Sequence, residues 1–110
     1  MSHFPELFER MPEVDAAFHG IRMRLLRGPT ASAIFVEART AAIVPDHSHG
    51  AQWGIVVDGE MELTIGGTTR TYRKGDEYTI PAGVVHAARL RPGTRVIDVF
   101  DDPDRYRPKA

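Results

Sequence analysis

The chain has 110 residues, 42% of them apolar and 26% charged, with 14 basic against 15 acidic side chains and no cysteine. That length and balance fit a single globular domain with one core, and a net charge of −1 offers no general attraction for nucleic acid or an anionic membrane. The missing thiols exclude disulfides, thiolate zinc sites, iron–sulfur clusters and a cysteine nucleophile.

Residues 1–20 read as a short irregular segment packed on the outside of the domain. Pro5 and Pro12 interrupt any helix, leaving one short apolar turn from Phe4, Leu7, Phe8 and Met11. Glu6 and Glu9 without an apolar stretch do not make a signal peptide, and the longest apolar run, Ala41-Ala42-Ile43-Val44, is too short to cross a bilayer. A cytoplasmic protein with no membrane partner is expected.

From residue 21 onward, turn dipeptides punctuate the chain: Gly28-Pro29, Asp58-Gly59, Gly66-Gly67, Lys74-Gly75, Ala82-Gly83 and Pro92-Gly93. Between them lie short runs rich in Val, Ile, Thr, Tyr and Phe, the pattern of an all-β sandwich or barrel. Strands are predicted at 21–27, 31–39, 41–47, 52–57, 61–65, 68–73, 77–80, 86–90 and 94–100. Asp58-Gly59 reads as a two-residue hairpin turn. Met61, Leu63 and Ile65 alternate with Glu62 and Thr64, so one face of that strand is apolar. Residues 101–110, charged and proline-rich, read as a solvated tail. The expected organisation is therefore an N-terminal segment at 1–20, a barrel at 21–100 and a tail at 101–110.

Chemistry concentrates in His47-Ser48-His49, followed by Gln52 and, much later, by His86. Residues i and i+2 of a strand point the same way, about 6.5–7 Å apart, so two imidazoles at that spacing can converge on one metal. A turn at Gly50-Ala51 that returns the chain antiparallel would aim Gln52 at the same point, and a histidine from a non-adjacent strand would complete three nitrogens and one amide oxygen. A lone H-x-H is a weak signal, since two histidines on one face often form a hydrogen-bonded pair.

The wider spelling is more specific. His47-x-His49-x-x-Gln52 leads after six residues to Gly59; Gly75, five residues, Pro81-x-Gly83 and two more residues lead to His86. These stretches, 47–59 and 75–86, resemble the paired motifs of the cupin superfamily. The resemblance implies a small single-domain, RmlC-like cupin: an antiparallel β-barrel or jelly roll (double-stranded β-helix) with its site in the mouth. It carries the metal-ligand positions over to His47, His49, Gln52 and His86, and implies one divalent transition metal per chain, with zinc, nickel, iron, manganese and copper left open. Two positions depart from the pattern: Gln52 stands where glutamate is usual, and Leu90 where asparagine often follows. A glutamine leaves the ion its full charge, which favours Lewis-acid chemistry over oxygen activation. It also resembles the three-His, one-Gln set of the pectin-degradation cupins that linearise unsaturated uronates, though the loop between His49 and Gln52 is one residue shorter here.

Other residues carry open readings. Arg22 and Arg24, i and i+2 on one strand, and Arg89 after His86 either clamp a substrate carboxylate or belong to solvated faces. Tyr78, and with it Tyr72, either presents a catalytic hydroxyl or is core. If Gln52 points inward, Trp53, Ile55 and Val57 point outward and need a cover: the opposed sheet wall, the N-terminal segment or a second subunit. Small cupins commonly pair, so the resemblance implies a homodimer. His3 and His19 have no assigned role. The functions consistent with all this are a metal-dependent enzyme polarising an oxygen of a small substrate (a sugar acid or an enol), a quercetin-dioxygenase-like oxygenase, and a non-catalytic small-molecule or metal sensor.

Overall fold

In the computed structural model, which describes residues 3–15 and 18–109, nine strands follow one short helix. The helix α1 (Glu6–Glu9) opens at Pro5, whose carbonyl accepts the Phe8 amide at 2.9 Å. The strands are β1 (Ile21–Arg27), β2 (Ser32–Ala38), β3 (Ala42–His47), β4 (Gln52–Asp58), β5 (Glu60–Ile65), β6 (Thr68–Arg73), β7 (Glu77–Ile80), β8 (His86–Leu90) and β9 (Arg95–Phe100). Alternation of side chains and glycine-bearing turns predict these elements to within a residue or two.

The strands form two antiparallel sheets, ordered β1-β2-β9-β4-β7 and β3-β8-β5-β6. Their inner faces meet in one core. Met23, Leu25, Ile34, Val36, Val56 and Val96 contribute from the first sheet, and Ala42, Met61, Leu63 and Leu90 from the second. All of these are buried, so period-2 patterning accounts for the core directly.

Asp58-Gly59 is not a hairpin turn. β4 and β5 belong to different sheets, and Gly59, at φ 85°, makes the corner between them. A Cβ there would fall within 2.6 Å of the Thr94 Cα, so the corner requires glycine. The Thr94 hydroxyl fastens it, donating to the Glu60 carbonyl at 2.9 Å and accepting the Glu60 amide at 3.1 Å. The true two-residue hairpin is Gly66-Gly67 between β5 and β6, with φ of 55° and 84°, as a turn with two left-handed residues demands.

The N-terminal segment packs on the outer face of the first sheet. Phe4 and Phe8 lie 5.8 and 4.5 Å from Phe35 (ring centroids), which leaves β2 covered on both sides. Residues 12–14 run beside β1: the Leu25 amide donates to the Pro12 carbonyl at 2.9 Å and the Val14 amide to the Met23 carbonyl at 3.0 Å. Met1, Ser2, Ala16, Ala17 and Ala110, part of the expected N-terminal segment and tail, lie outside the described residues.

The tail is docked rather than solvated. Asp15 donates its amide to the Arg107 carbonyl and Lys109 its amide to the Glu13 carbonyl, both at 2.8 Å, and Val14 bridges Pro108. Apolar and aromatic side chains at Phe100 and Tyr106 outweigh the charged composition, because their rings meet at 5.8 Å and bring the chain back over the barrel end.

Candidate metal centre

The site begins with a bulge. β3 pairs with β8 as Ala42↔Leu90, Ile43↔Arg89 and Val44↔Ala88, then shifts by one residue so that His47 lies opposite His86. Regular alternation would turn Asp46 inward with Ala42 and Val44, and His47 outward. The extra residue at Pro45-Asp46, where proline has no amide to give the ladder, reverses this and aims His47 into the barrel. Thus β8 is the hydrogen-bonded neighbour of β3, not a distant strand. His49 lies beyond the end of β3 in the connection to the other sheet, its carbonyl accepting the Gly83 amide at 2.8 Å. The chain does not return antiparallel to β3 there; Gln52 starts β4, between Ile80 of β7 and Phe100 of β9.

Three imidazoles converge. His47, His49 and His86 each offer a nitrogen, and these atoms lie within 4.8 Å of one another. Each ring is held by its other nitrogen: Nδ1 lies 2.8 Å from the Pro45 carbonyl in His47, 2.8 Å from the Gly50 carbonyl in His49, and 2.9 Å from the Val84 carbonyl in His86. A carbonyl only accepts, so each Nδ1 carries a proton, and Nε2 is the ring nitrogen left to offer a lone pair inward. The His49 and His86 Nε2 atoms are 3.1 Å apart. Two acceptors at that distance repel unless a cation or proton lies near both. Burial lowers the pKa of both rings below the usual histidine value, with the Arg105 and neighbouring histidine charges acting the same way, so the lone pairs are free at neutral pH.

Gln52 offers a further donor atom. Its Oε1 is buried and has no hydrogen-bond partner, an arrangement that ordinarily carries a penalty. The carboxamide nitrogen is engaged instead, hydrogen-bonded to Asp98, which leaves the oxygen toward the cavity that the three histidines also line. Three fixed imidazole lone pairs and one orphaned amide oxygen fit a divalent transition ion bound by neutral donors.

Beside the donors lies a polar group that sequence reading did not single out. Asp98 of β9 is buried, and Tyr78 of β7 donates its hydroxyl to it at 2.5 Å. Burial raises the Asp98 carboxyl to about 6 despite the opposing hydrogen bonds from Tyr78 and Gln52. Burial, with the Asp98 charge, holds the Tyr78 phenol well above its usual value. Both residues flank Gly54 on the neighbouring strands, and a Cβ on Gly54 would collide with the Tyr78 ring and the Asp98 carboxylate. The alternation of Val96, Asp98 and Phe100 on one strand face was a signal for this inward carboxylate.

The arginines lie elsewhere. Arg22 and Arg24 donate to one Glu9 carboxylate oxygen at 2.7 and 2.9 Å on the outer face, and Arg89 lines a separate depression with Ile43 and Glu62 on the outside of the second sheet. All three face outward because the residues that alternate with them, Met23, Leu25, Ala88 and Leu90, fill the interior. The guanidinium near the site belongs to Arg105 in the tail, 4.3 Å above the Tyr106 ring and 5.7 Å from the Phe100 ring. Tyr72 lies 5.5 Å from Tyr78, edge-on, as part of the packing.

The fold has counterparts among known proteins. A family described as the cupin domain matches residues 35–100. Among solved structures, the chain is similar to KdgF from Halomonas sp., at 30% identity over 84% of this chain and 86% of that one, with a TM-score of 0.74. It is also similar to an RmlC-like cupin from Shewanella frigidimarina NCIMB 400, at 26% identity over 96% and 94% of the two chains, with a TM-score of 0.78. A variant of oxalate decarboxylase from Bacillus subtilis shares the fold at 20% identity, with a TM-score of 0.76 over 94% of this chain and 30% of that one. No curated protein matches.

Proposed function

Because the chain belongs to the cupin domain family, we propose that its three histidines and Gln52 hold one divalent transition ion and that the protein is an enzyme acting on a small oxygenated substrate. The observation that carries this reading is the inward set of three Nε2 lone pairs, each ring locked by a backbone carbonyl, next to the unpartnered Gln52 oxygen.

Bound there, the ion supplies Lewis-acid polarisation of a substrate oxygen, and four neutral donors leave its charge undiminished. The protein's own groups do the rest. Asp98, buried beside the donors and titrating near 6, takes a proton from the substrate and returns it, with Tyr78 orienting the carboxylate. The rings of Phe100 and Tyr106 line the cavity, and Arg105, stacked on Tyr106, presents a positive charge to an acidic substrate.

An unsaturated uronate draws support from the three-His, one-Gln resemblance and from the similarity to KdgF; an enol draws support from the buried Asp98. Absence of a ligand carboxylate favours Lewis-acid chemistry over a quercetin-dioxygenase-like reaction and over a sensor role, since the Asp98 device has no use in a passive binder. Two copies pair in this reading through the outer face of the first sheet. Trp53, Ile55 and Val57 alternate there with the buried Gln52, Gly54 and Val56, and Trp53 remains 37% exposed. The expected location is the cytoplasm; among the described residues no helix is long and apolar enough to cross a membrane.

Elemental analysis of untagged protein tests the centre. One equivalent of a transition metal is expected, lost in His49→Ala while the β spectrum is kept; full occupancy in that variant would overturn the assignment. Loss of 4,5-unsaturated uronate absorbance, set against oxygen uptake with flavonols, then separates the two enzyme readings.

A further inference from the structure

The cavity that the imidazoles line is polar at one end only. Most of its donors are already committed: the three Nδ1 protons to backbone carbonyls, and the Tyr78 hydroxyl and one Gln52 N–H to Asp98. Among the described lining residues, the Tyr106 hydroxyl and the second N–H of the Gln52 carboxamide are the side-chain donors left. The opposite wall is hydrocarbon and thioether, built from Met23, Ile34, Val36, Met61, Leu63 and Val96, all buried. Hydroxyls of a sugar pressed against that wall would be stripped of water and given no partner. Size sets a second limit. The cavity volume, donor end included, is about 70 Å³, against roughly 150 Å³ for an apolar cavity that takes benzene, which leaves room beyond the oxygen end for an arm of roughly one or two carbons.

We infer that these six side chains form a hydrocarbon subsite beside the donor cluster, and that the ligand is a monoanionic 2-oxo acid or enolate with a short aliphatic arm rather than a polyhydroxylated sugar. This rests on the metal-centre reading for the oxygen end of the ligand, and on the cavity wall alone for the arm. A monoanion suits the charge at the site, where neutral donors leave a divalent ion uncompensated and the Arg105 guanidinium lies over the aromatic rings of the mouth.

Calorimetry on zinc-loaded protein tests it with pyruvate, 2-oxobutanoate, 2-oxo-4-methylpentanoate and D-galacturonate. Affinity should rise about fourfold per added methylene until the cavity is full, and galacturonate should bind more weakly than pyruvate. Met61→Phe should abolish the dependence on arm length without changing zinc stoichiometry, and Leu63→Ala should move the optimum to a longer arm. Xenon under pressure, which needs no metal, should shift the methyl resonances of Met23 and Met61. Binding indifferent to arm length, or tightest for galacturonate, overturns the inference while the metal centre stands. Failure to take up zinc overturns the centre and the oxygen end together, and unshifted methyls under xenon overturn the subsite itself.

Discussion

His49 and His86 face one another through Nε2 atoms 3.1 Å apart, each ring tied from behind by a backbone carbonyl. Neither ring can relieve the contact by turning without giving up its Nδ1 bond. A cation bound between them would meet rings already held in place, and would add to the stability of the protein.

Metal should stabilise the fold. Zinc at about 100 times its dissociation constant is expected to add about 2.7 kcal/mol, seen as a rise in Tm that a chelator reverses. The gain should shrink below about pH 6, where imidazoles protonate and release the ion. An unchanged gain from pH 5 to 8 would show that histidines are not the ligands.

Without metal, the histidines and Asp98 act on stability in opposite directions. The folded pKa values of His49 and His86 are lowered, so the unfolded chain binds more protons and stability falls as pH drops through about 6.5. Asp98 is raised to about 6 from 3.8; its contribution is present below the unfolded value and is lost as pH rises through about 6. Asp98→Asn removes only the second effect. The metal-free variant should exceed the parent by on the order of 1–3 kcal/mol at pH 7.5 and lose that advantage at pH 4, read by urea denaturation at each pH.

Gln52→Glu should bind divalent metal more tightly but fold less well without it. The new carboxylate would lie against Asp98, which the native carboxamide hydrogen-bonds, and two buried carboxylates in contact keep one proton between them. A loss of about 1–3 kcal/mol in the metal-free state at neutral pH is expected, abolished by zinc. Denaturation with and without zinc measures both halves.

Gly54→Ala should cost about 1–3 kcal/mol and displace the Tyr78–Asp98 pair, since the added methyl meets both. Loss of the Asp98-dependent part of the pH profile would accompany it, which a general packing defect elsewhere in the core would not produce.

Glu9→Ala tests the placement of the outer arginines. It removes the carboxylate that Arg22 and Arg24 share, leaving Arg22 to Glu13 and Arg24 to the Met11 carbonyl, and should cost about 0.5–1 kcal/mol with metal uptake and ligand affinity unchanged. A fall in metal or ligand binding would return those arginines to the site.

Much of this protein can be read along the chain, because strands obey local rules: Met61, Leu63 and Ile65 alternate with polar neighbours, and glycines mark the turns where φ must be positive. The same linear spelling carries the cupin likeness and the donor residues His47, His49, Gln52 and His86. What it could not supply are relations between strands far apart in sequence. Whether Asp58-Gly59 is a hairpin or a corner depends on which sheet β5 joins, and that is decided by long-range pairing with β8. Whether His47 or Asp46 faces inward depends on a bulge defined only against β8. Asp98 becomes a buried acid through Gly54, Tyr78 and Gln52 on two other strands, and the tail becomes part of the mouth through Phe100 and residues 13–15. Alternation and turn chemistry act over a few residues and so are written locally; register, burial of a charge and closure of a cavity arise from packing between distant segments, and exist only once the two sheets have met.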